Sequence, residues 1–253
     1  MKKITCVTHK ADMMFKLEQN TDGVFKRSNF QKQINKCEFP LDIDFCVNPE
    51  YIKPEKNSFT GPGIYLIEFG DELIYIGKFR PFCDGNIITT RWKPHLETLT
   101  NRGSHVGGFE KDHSKKLPHE KVGIFTSLKG CENSSLEKRR RDTGTVTSKK
   151  RLEFAKANWN IFRSKDINKL EDSLKKFTFY YFQLDEGYFF KNSENKKELY
   201  GDFASLIEEF LLIKYSTECN SGFNGEIPIT DAKIADIEKD INGFVNFIAD
   251  KIK

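Results

Sequence analysis

The sequence predicts an α+β chain: a small antiparallel sheet of three strands flanked by helices, with an N-terminal extension before it and a large basic insertion within it. Three observations predict this. Gly63 to Phe69 and Leu73 to Lys78 are short runs rich in β-branched and aromatic residues. They are set off by Gly-Pro-Gly at 61–63 and separated by Gly70-Asp71, the pattern of a β-hairpin. Phe177 to Leu184 has the composition of a third strand. Apolar residues then recur at helical spacing over about 200–215 and 230–253.

Composition bounds the function. The 253 residues can bury a substantial core. No apolar run reaches the roughly 18 residues of a membrane span, and the start Met1-Lys2-Lys3-Ile4-Thr5-Cys6 lacks an apolar signal core, so a cytoplasmic protein with no membrane partner is expected. The cysteines (Cys6, Cys37, Cys46, Cys83, Cys131, Cys219) are far apart and form no Cys-x-x-Cys pair, which reads as small buried or half-buried residues rather than disulfides or zinc ligands. His105, His113 and His119 with Cys131 fit no standard zinc spacing.

Residues 1–60 read as an extension packed on the core. A strand is expected within Lys2 to Thr8, a further short segment at Gly23-Val24-Phe25 and a short helix over Asn29 to Lys36. The hairpin follows, and its parity is informative because alternate side chains on a strand point to opposite faces. A two-residue loop at Gly70-Asp71 would put Leu66 opposite Tyr75 and leave Tyr65 on the other face. An odd loop of three or five residues sets Ile67 opposite Tyr75 and Gly77 opposite Tyr65, and places both rings together. The odd loop is expected, with the missing side chain of Gly77 leaving room beside Tyr65.

After the hairpin come Lys78 and an apolar, glycine-bearing loop, Phe79 to Ile88, which carries Arg80. Thr89 and Thr90 are expected N-caps of a helix from about Arg91 to Thr100, with Pro94 near its first turn. Arg91 and His95, four apart, share a face of that helix. Within the insertion, Lys121 to Leu128 reads as a strand and Leu136 to Arg141 as a helix. Lys149 to Phe162 is also helical, with an apolar stripe at Leu152, Ala155, Trp159 and Phe162. In the helix from about Tyr200 to Tyr215, Phe203, Leu206, Ile207, Phe210, Leu211 and Ile213 are expected to bury one side, with Glu209 near its boundary and Glu208 beside it. The last segment repeats Ile234, Ile237, Ile241, Phe244, Ile248 and Ile252, with Asp231 near its start. It is an amphipathic helix for the core or for another subunit.

The tripeptide Gly63-Ile64-Tyr65 is followed by Tyr75-Ile76-Gly77. Then come Arg91 with His95, Glu209 with Leu212-Ile213-Lys214, and Asn220 with Gly222-Phe223-Asn224. In this order the set resembles the signature of the GIY-YIG nuclease superfamily, and the Arg91 to His95 spacing resembles its type II restriction endonuclease branch. The resemblance covers about 61–100 and 176–225, which would be two halves of a GIY-YIG core. Arg91 and Glu209 lie 118 positions apart, so 101–175 is an insertion and 226–253 a C-terminal helix.

That insertion carries the chain's charge asymmetry. Residues 101–176 hold 19 Lys or Arg against 10 Asp or Glu, a balance of +9 in a chain of net +4, so the rest balances at −5. Lys138-Arg139-Arg140-Arg141 and Lys149-Lys150-Arg151 bracket a turn. Placed inside a nuclease pattern, Arg139, Arg140, Arg141, Lys149, Lys150 and Arg151, with Arg80, read as a phosphate-binding surface.

The resemblance implies a sequence-specific endonuclease that hydrolyses double-stranded DNA as a homodimer. Glu209 would hold one divalent ion, Mg²⁺ with Mn²⁺ as the expected substitute. Tyr65 would be the general base, with Tyr75 orienting or sharing its proton. A phenol titrates near roughly 10 and needs a neighbouring cation to serve, for which Lys78, Arg91 and the metal are the candidates. Arg91 would stabilise the developing charge, His95 would relay a proton or bind the phosphate, and Asn220 would fix the phosphate or brace a helix end. The alternatives are a homing or repair endonuclease with structural specificity, and a catalytically silent DNA-binding protein on the same scaffold.

Overall fold

The structure, a computed structural model, describes residues 3–19, 37–38, 43–53, 59–80, 85–100, 109–110, 149–162, 164, 166–190, 193–220 and 233–252. In chain order these form β1 (Ile4–Lys10), α1 (Ala11–Met14), β2 (Phe15–Gln19), β3 (Cys37–Glu38), β4 (Ile43–Val47) and a 3-10 turn at Pro49–Tyr51. Then come β5 (Gly63–Phe69), β6 (Glu72–Phe79), a π-helical turn at Ile88–Trp92, α2 (Lys93–Leu99) and β7 (Phe109–Glu110). The rest is α3 (Lys149–Ala157), α4 (Trp159–Phe162), α5 (Ile167–Leu174), β8 (Phe177–Leu184), α6 (Lys196–Lys214) and α7 (Ile234–Ile252). The chain forms two compact units, one of Met1–Met14, Val47–Trp92 and Leu174–Lys253, the other of Phe15–Cys46 and Lys93–Ser173.

The first unit is built on an antiparallel sheet of order β1-β8-β5-β6. It has four strands where three were expected. The extra strand is β1, whose alternating apolar and polar residues pair along the full length of β8 from Ile4↔Leu184 to Lys10↔Thr178. The N-terminal segment therefore completes the sheet edge as well as covering it.

Each sheet face is buried differently. On one face Ile64, Leu66, Ile76, Phe182 and Leu184 pack against Phe203, Ala204, Ile207 and Leu211 of α6 and Ile237, Ile241 and Val245 of α7. Phe210 and Phe244 stack between the two helices at 4.9 Å. The apolar repeat of α7 thus packs on this chain's own core. Tyr200 is held there by its hydroxyl, which donates to the carbonyls of Phe189 (2.6 Å) and Asp185 (2.9 Å). Burial pushes its phenol up to about 12, against the opposing effect of the Phe189 bond.

The buried positions of α6 are Tyr200, Gly201, Phe203, Ala204, Ile207 and Leu211, a stripe of three- and four-residue spacing. Leu206 and Ile213, expected inside, are instead 51% and 58% exposed. Sheet and α7 cover that one stripe, and Leu206, Glu209 and Ile213 share the opposite side. The helix also begins at Lys196, ahead of the expected Tyr200.

The other sheet face is aromatic. Trp92 stacks on Phe179 (4.9 Å, 30°) and stands edge-on to Tyr181. Phe59 meets Trp92 at 6.0 Å, and His9 meets both Tyr51 and Phe59. Such contacts between quadrupolar rings fix orientation as well as bury area.

In the second unit β2 pairs with β4 and β3 with β7. The helix expected across Lys149 to Phe162 is broken at Asn158, whose side-chain amide donates to the Phe154 carbonyl at 3.1 Å, a local bond that competes with helix propagation. Ala155, Trp159 and Phe162 of the expected stripe are buried. Cys6, Cys46 and Cys219 are not in disulfides, and no helix among the described residues is long and apolar enough to cross a membrane. The elements expected at Gly23 to Phe25, Asn29 to Lys36, Lys121 to Leu128 and Leu136 to Arg141 lie outside the described residues, as do Asp231 and His105, His113, His119 and Cys131.

Candidate active site

The hairpin pairs Tyr65 with Gly77 and Ile67 with Tyr75, so both tyrosines lie on one face. Their rings are stacked, 5.9 Å between centroids and 25° between planes. The register is the expected one, but its cause differs. The connection is the two-residue turn Gly70-Asp71, with Gly70 at φ +68°, and not an odd loop. Next to the turn Phe69 pairs with Glu72 and Glu68 with Leu73. The register then shifts, leaving Ile74 as the extra residue of a β-bulge. One bulged residue changes the parity as one added loop residue would.

Gly77 has a steric role. A Cβ on it would stand 2.5 Å from Tyr65 Cζ, 2.6 Å from Tyr65 Oη and 2.7 Å from Tyr75 Cε1. Only glycine lets the Tyr65 ring cross its partner strand there. Across the sheet Tyr65 pairs with Tyr181 and Ile67 with Phe179, so the aromatic floor beneath Trp92 belongs to the tyrosine face. Tyr181 donates its hydroxyl to the Gly61 carbonyl, and burial, aided by the Glu186 charge, holds its phenol well above its usual range. Burial thus favours the neutral phenol of Tyr181 in the floor of the sheet.

Arg91 precedes Trp92 in the π-helical turn, which Trp92 anchors to the tyrosine face. The turn begins earlier than expected, and Thr89 and Thr90 are not its caps. Asn86 is: its Oδ1 accepts from Ile88 N–H at 2.8 Å, while both threonine hydroxyls donate back to the Asn86 carbonyl. Asparagine is the better cap because its side-chain oxygen reaches the backbone donor two residues on. Pro94, with no N–H to give, follows the widened turn as second residue of α2. His95 is buried, lies in sequence between Lys93 and Glu97, which form an ion pair at 3.6 Å, and belongs to the second unit.

Lys78 is not the cation beside the phenols. It pairs with Ile64, so its side chain is on the α6 face, and there its Nζ meets Glu208 at 2.6 Å. Arg80 is exposed and donates to Ser205 Oγ at 3.2 Å, so α6 runs along the edge strand β6. Glu209, one residue past Glu208, is exposed and makes no hydrogen bond or ion pair among the described residues; like Lys78 it belongs to the α6 side of the sheet, so the structure does not gather it with Tyr65 and Tyr75 on their face. Asn220 braces a strand: Oδ1 accepts from Ile76 N–H at 2.8 Å and Nδ2 donates to the Ile76 carbonyl at 2.7 Å.

No protein-family model, curated protein or solved structure matches the chain.

Among the expected phosphate-binding residues, Lys150 is exposed and Arg151 half-buried on α3, which Lys149 opens. Arg139, Arg140 and Arg141 lie outside the described residues. No group of three His, Cys, Asp or Glu that could hold a metal occurs among the described residues. Two participants escaped the sequence reading: Thr217, buried beside Asn220, and the Glu208 partner of Lys78. The Thr217-x-x-Asn220 spacing is a local side-chain pairing that could have flagged the first, and nothing in sequence pairs residues 130 positions apart.

Proposed function

We propose that the chain is a metal-dependent DNA endonuclease of the GIY-YIG kind, acting as a type II restriction enzyme on double-stranded DNA as a homodimer. The supporting observation is the alignment of Tyr65 and Tyr75 on one face, stacked over the space left by Gly77. Strands β5, β6 and β8 would be the three-stranded GIY-YIG core, with β1 added at its edge.

In this reading Tyr65 takes the proton of the attacking water and Tyr75, packed on its ring, orients the phenol. With Lys78 committed to Glu208, Arg91 is the side-chain cation left to favour the phenolate and the developing charge on phosphorus. Its fixed fork of donors suits a phosphate better than an ammonium would. Glu209 would hold Mg²⁺, with Mn²⁺ substituting: its carboxylate is exposed and uncommitted among the described residues, whereas Glu208 is committed. Because α6 packs on the sheet face opposite the two tyrosines, this role requires the ion and the phosphate to be reached round the β6 edge along which α6 runs. A hard cation that keeps most of its water needs only one such ligand. When bound, the ion supplies charge stabilisation at the phosphate. Asn220 acts from behind, on the β6 backbone. Arg80, Lys150 and Arg151, with Lys149 and Arg139 to Arg141, supply cations for the DNA backbone.

The test is incubation of purified protein with unmethylated plasmid and phage DNA, with Mg²⁺ or EDTA, beside Glu209→Ala. Discrete metal-dependent fragments that vanish in the variant are expected. Cutting confined to branched DNA would replace restriction by structural specificity. Binding without cutting across several metals would leave a silent DNA-binding protein.

A further inference from the structure

The segment after α6 seals the outer edge of β6. Cys219 N–H donates to the Ile74 carbonyl at 2.9 Å, and the Asn220 side chain takes both backbone groups of Ile76. A side-chain amide thus stands where a fifth strand would pair. Thr217, 2% exposed, donates its hydroxyl to the same Asn220 Oδ1 that receives the Ile76 N–H. The backbone of Ile76 fixes which end of the amide faces the strand, since the reversed amide would oppose N–H to N–H, and the Thr217 hydroxyl adds a second donor to the same oxygen and so restrains the amide from its buried side.

Ile74 and Ile76 are the two neighbours of Tyr75, and Ile74 is the bulged residue. A bulge on an edge strand has a partner strand on one side only, and a one-residue slip would send every side chain beyond it to the opposite face. We propose that Thr217 is a positioning residue: through Asn220 it clamps the bulged β6 edge and so keeps Tyr75 on the face of Tyr65. The role in catalysis rests on the nuclease reading; the clamp itself does not.

The test pairs Thr217→Val, which keeps the shape and loses the donor, with Thr217→Ser, which restores it. Two readouts are taken: kcat and KM on cleaved DNA, and the Tyr65–Tyr75 ring contact by nuclear Overhauser effect in tyrosine-labelled full-length protein. Thr217→Val is expected to lose the ring contact and to lower kcat by roughly tenfold to a hundredfold with KM nearly unchanged, the scale of a small misplacement of a reacting group. Thr217→Ser returns both. Should Thr217→Val fail to fold, Asn220→Asp, which keeps the acceptor and loses the donor to the Ile76 carbonyl, is expected to give the same pair of losses. An intact ring contact in the variant overturns the clamp, whatever kcat does. Wild-type protein that cuts no DNA overturns the nuclease reading alone, and the ring contact then decides the clamp.

Discussion

Gly77 stands directly across from Tyr65, and a methyl group built on it would lie 2.6 Å from the phenolic oxygen. Tyr65 is only 3% exposed, so its ring has no solvent to swing into. Gly77→Ala is therefore expected to cost about 1–3 kcal/mol by overpacking and to remove DNA cleavage with it. Gly70→Ala is the contrast. Its Cβ meets nothing within 4 Å, but φ is +68°, so the cost is backbone strain of about 1–2 kcal/mol and cleavage is kept. Denaturant midpoints beside cleavage rates check both; equal loss of activity in the two would deny Gly77 its steric role.

Glu208 and Glu209 are adjacent in sequence and opposite in circumstance, which separates their variants. Glu208→Ala strands Lys78, whose side chain is 28% exposed, and is expected to cost about 1–2 kcal/mol, between the values for surface and buried pairs. Glu209→Ala touches no partner among the described residues. It should leave stability within about 0.5 kcal/mol and abolish metal-dependent cleavage. Thermal melts and plasmid cutting of the two proteins decide; the reverse pattern would move the metal to Glu208.

What the sequence disclosed here was mostly local. The strands at 63–69 and 177–184 and the tyrosine alignment were legible because strand composition and period-two parity are local properties. The means of that alignment was not legible, since a bulge at Ile74 and an added loop residue have identical consequences for parity. The exposure of Leu206 and Ile213 was hidden for a different reason: the apolar residues of α6 spread wider than the stripe that is buried, and which part of them is covered depends on where the sheet and α7 sit. Lys78 could be assigned to the wrong side of the strand only while its parity was ignored, because a residue next to Gly77 must point away from Tyr65.

Two tyrosines of the site face, Tyr65 and Tyr181, differ in what their hydroxyls do. Tyr65→Phe removes the proposed base and is expected to slow cleavage by on the order of 10²–10⁴ while DNA binding persists. Tyr181→Phe removes a buried donor to the Gly61 carbonyl and should cost about 1–2 kcal/mol in stability with the turnover of folded protein kept. Single-turnover rates with folded fractions measured alongside separate the two. A Tyr181→Phe protein that folds and cannot cut would transfer the catalytic role to the floor of the sheet.

The contact between α6 and α7 predicts an acid limit. Burial alone would raise the Asp240 carboxyl, but hydrogen bonds from Lys214 (2.5 Å) and Tyr215, with the charges of Lys214 and Lys239, outweigh it and hold the group below its ordinary 3.8. A carboxyl depressed in the folded state binds fewer protons than in the unfolded chain. Its contribution is therefore complete above the ordinary value and is lost as pH falls through the lower folded value. Wild-type stability should thus drop more steeply below pH 3.8 than that of Asp240→Asn, and the two curves should run parallel above it. Because Lys214 is on the surface, added salt should narrow the difference. Urea midpoints across the acid range test this; equal acid slopes in the two proteins would mean that the Lys214–Asp240–Tyr215 contact does not hold α7 to α6.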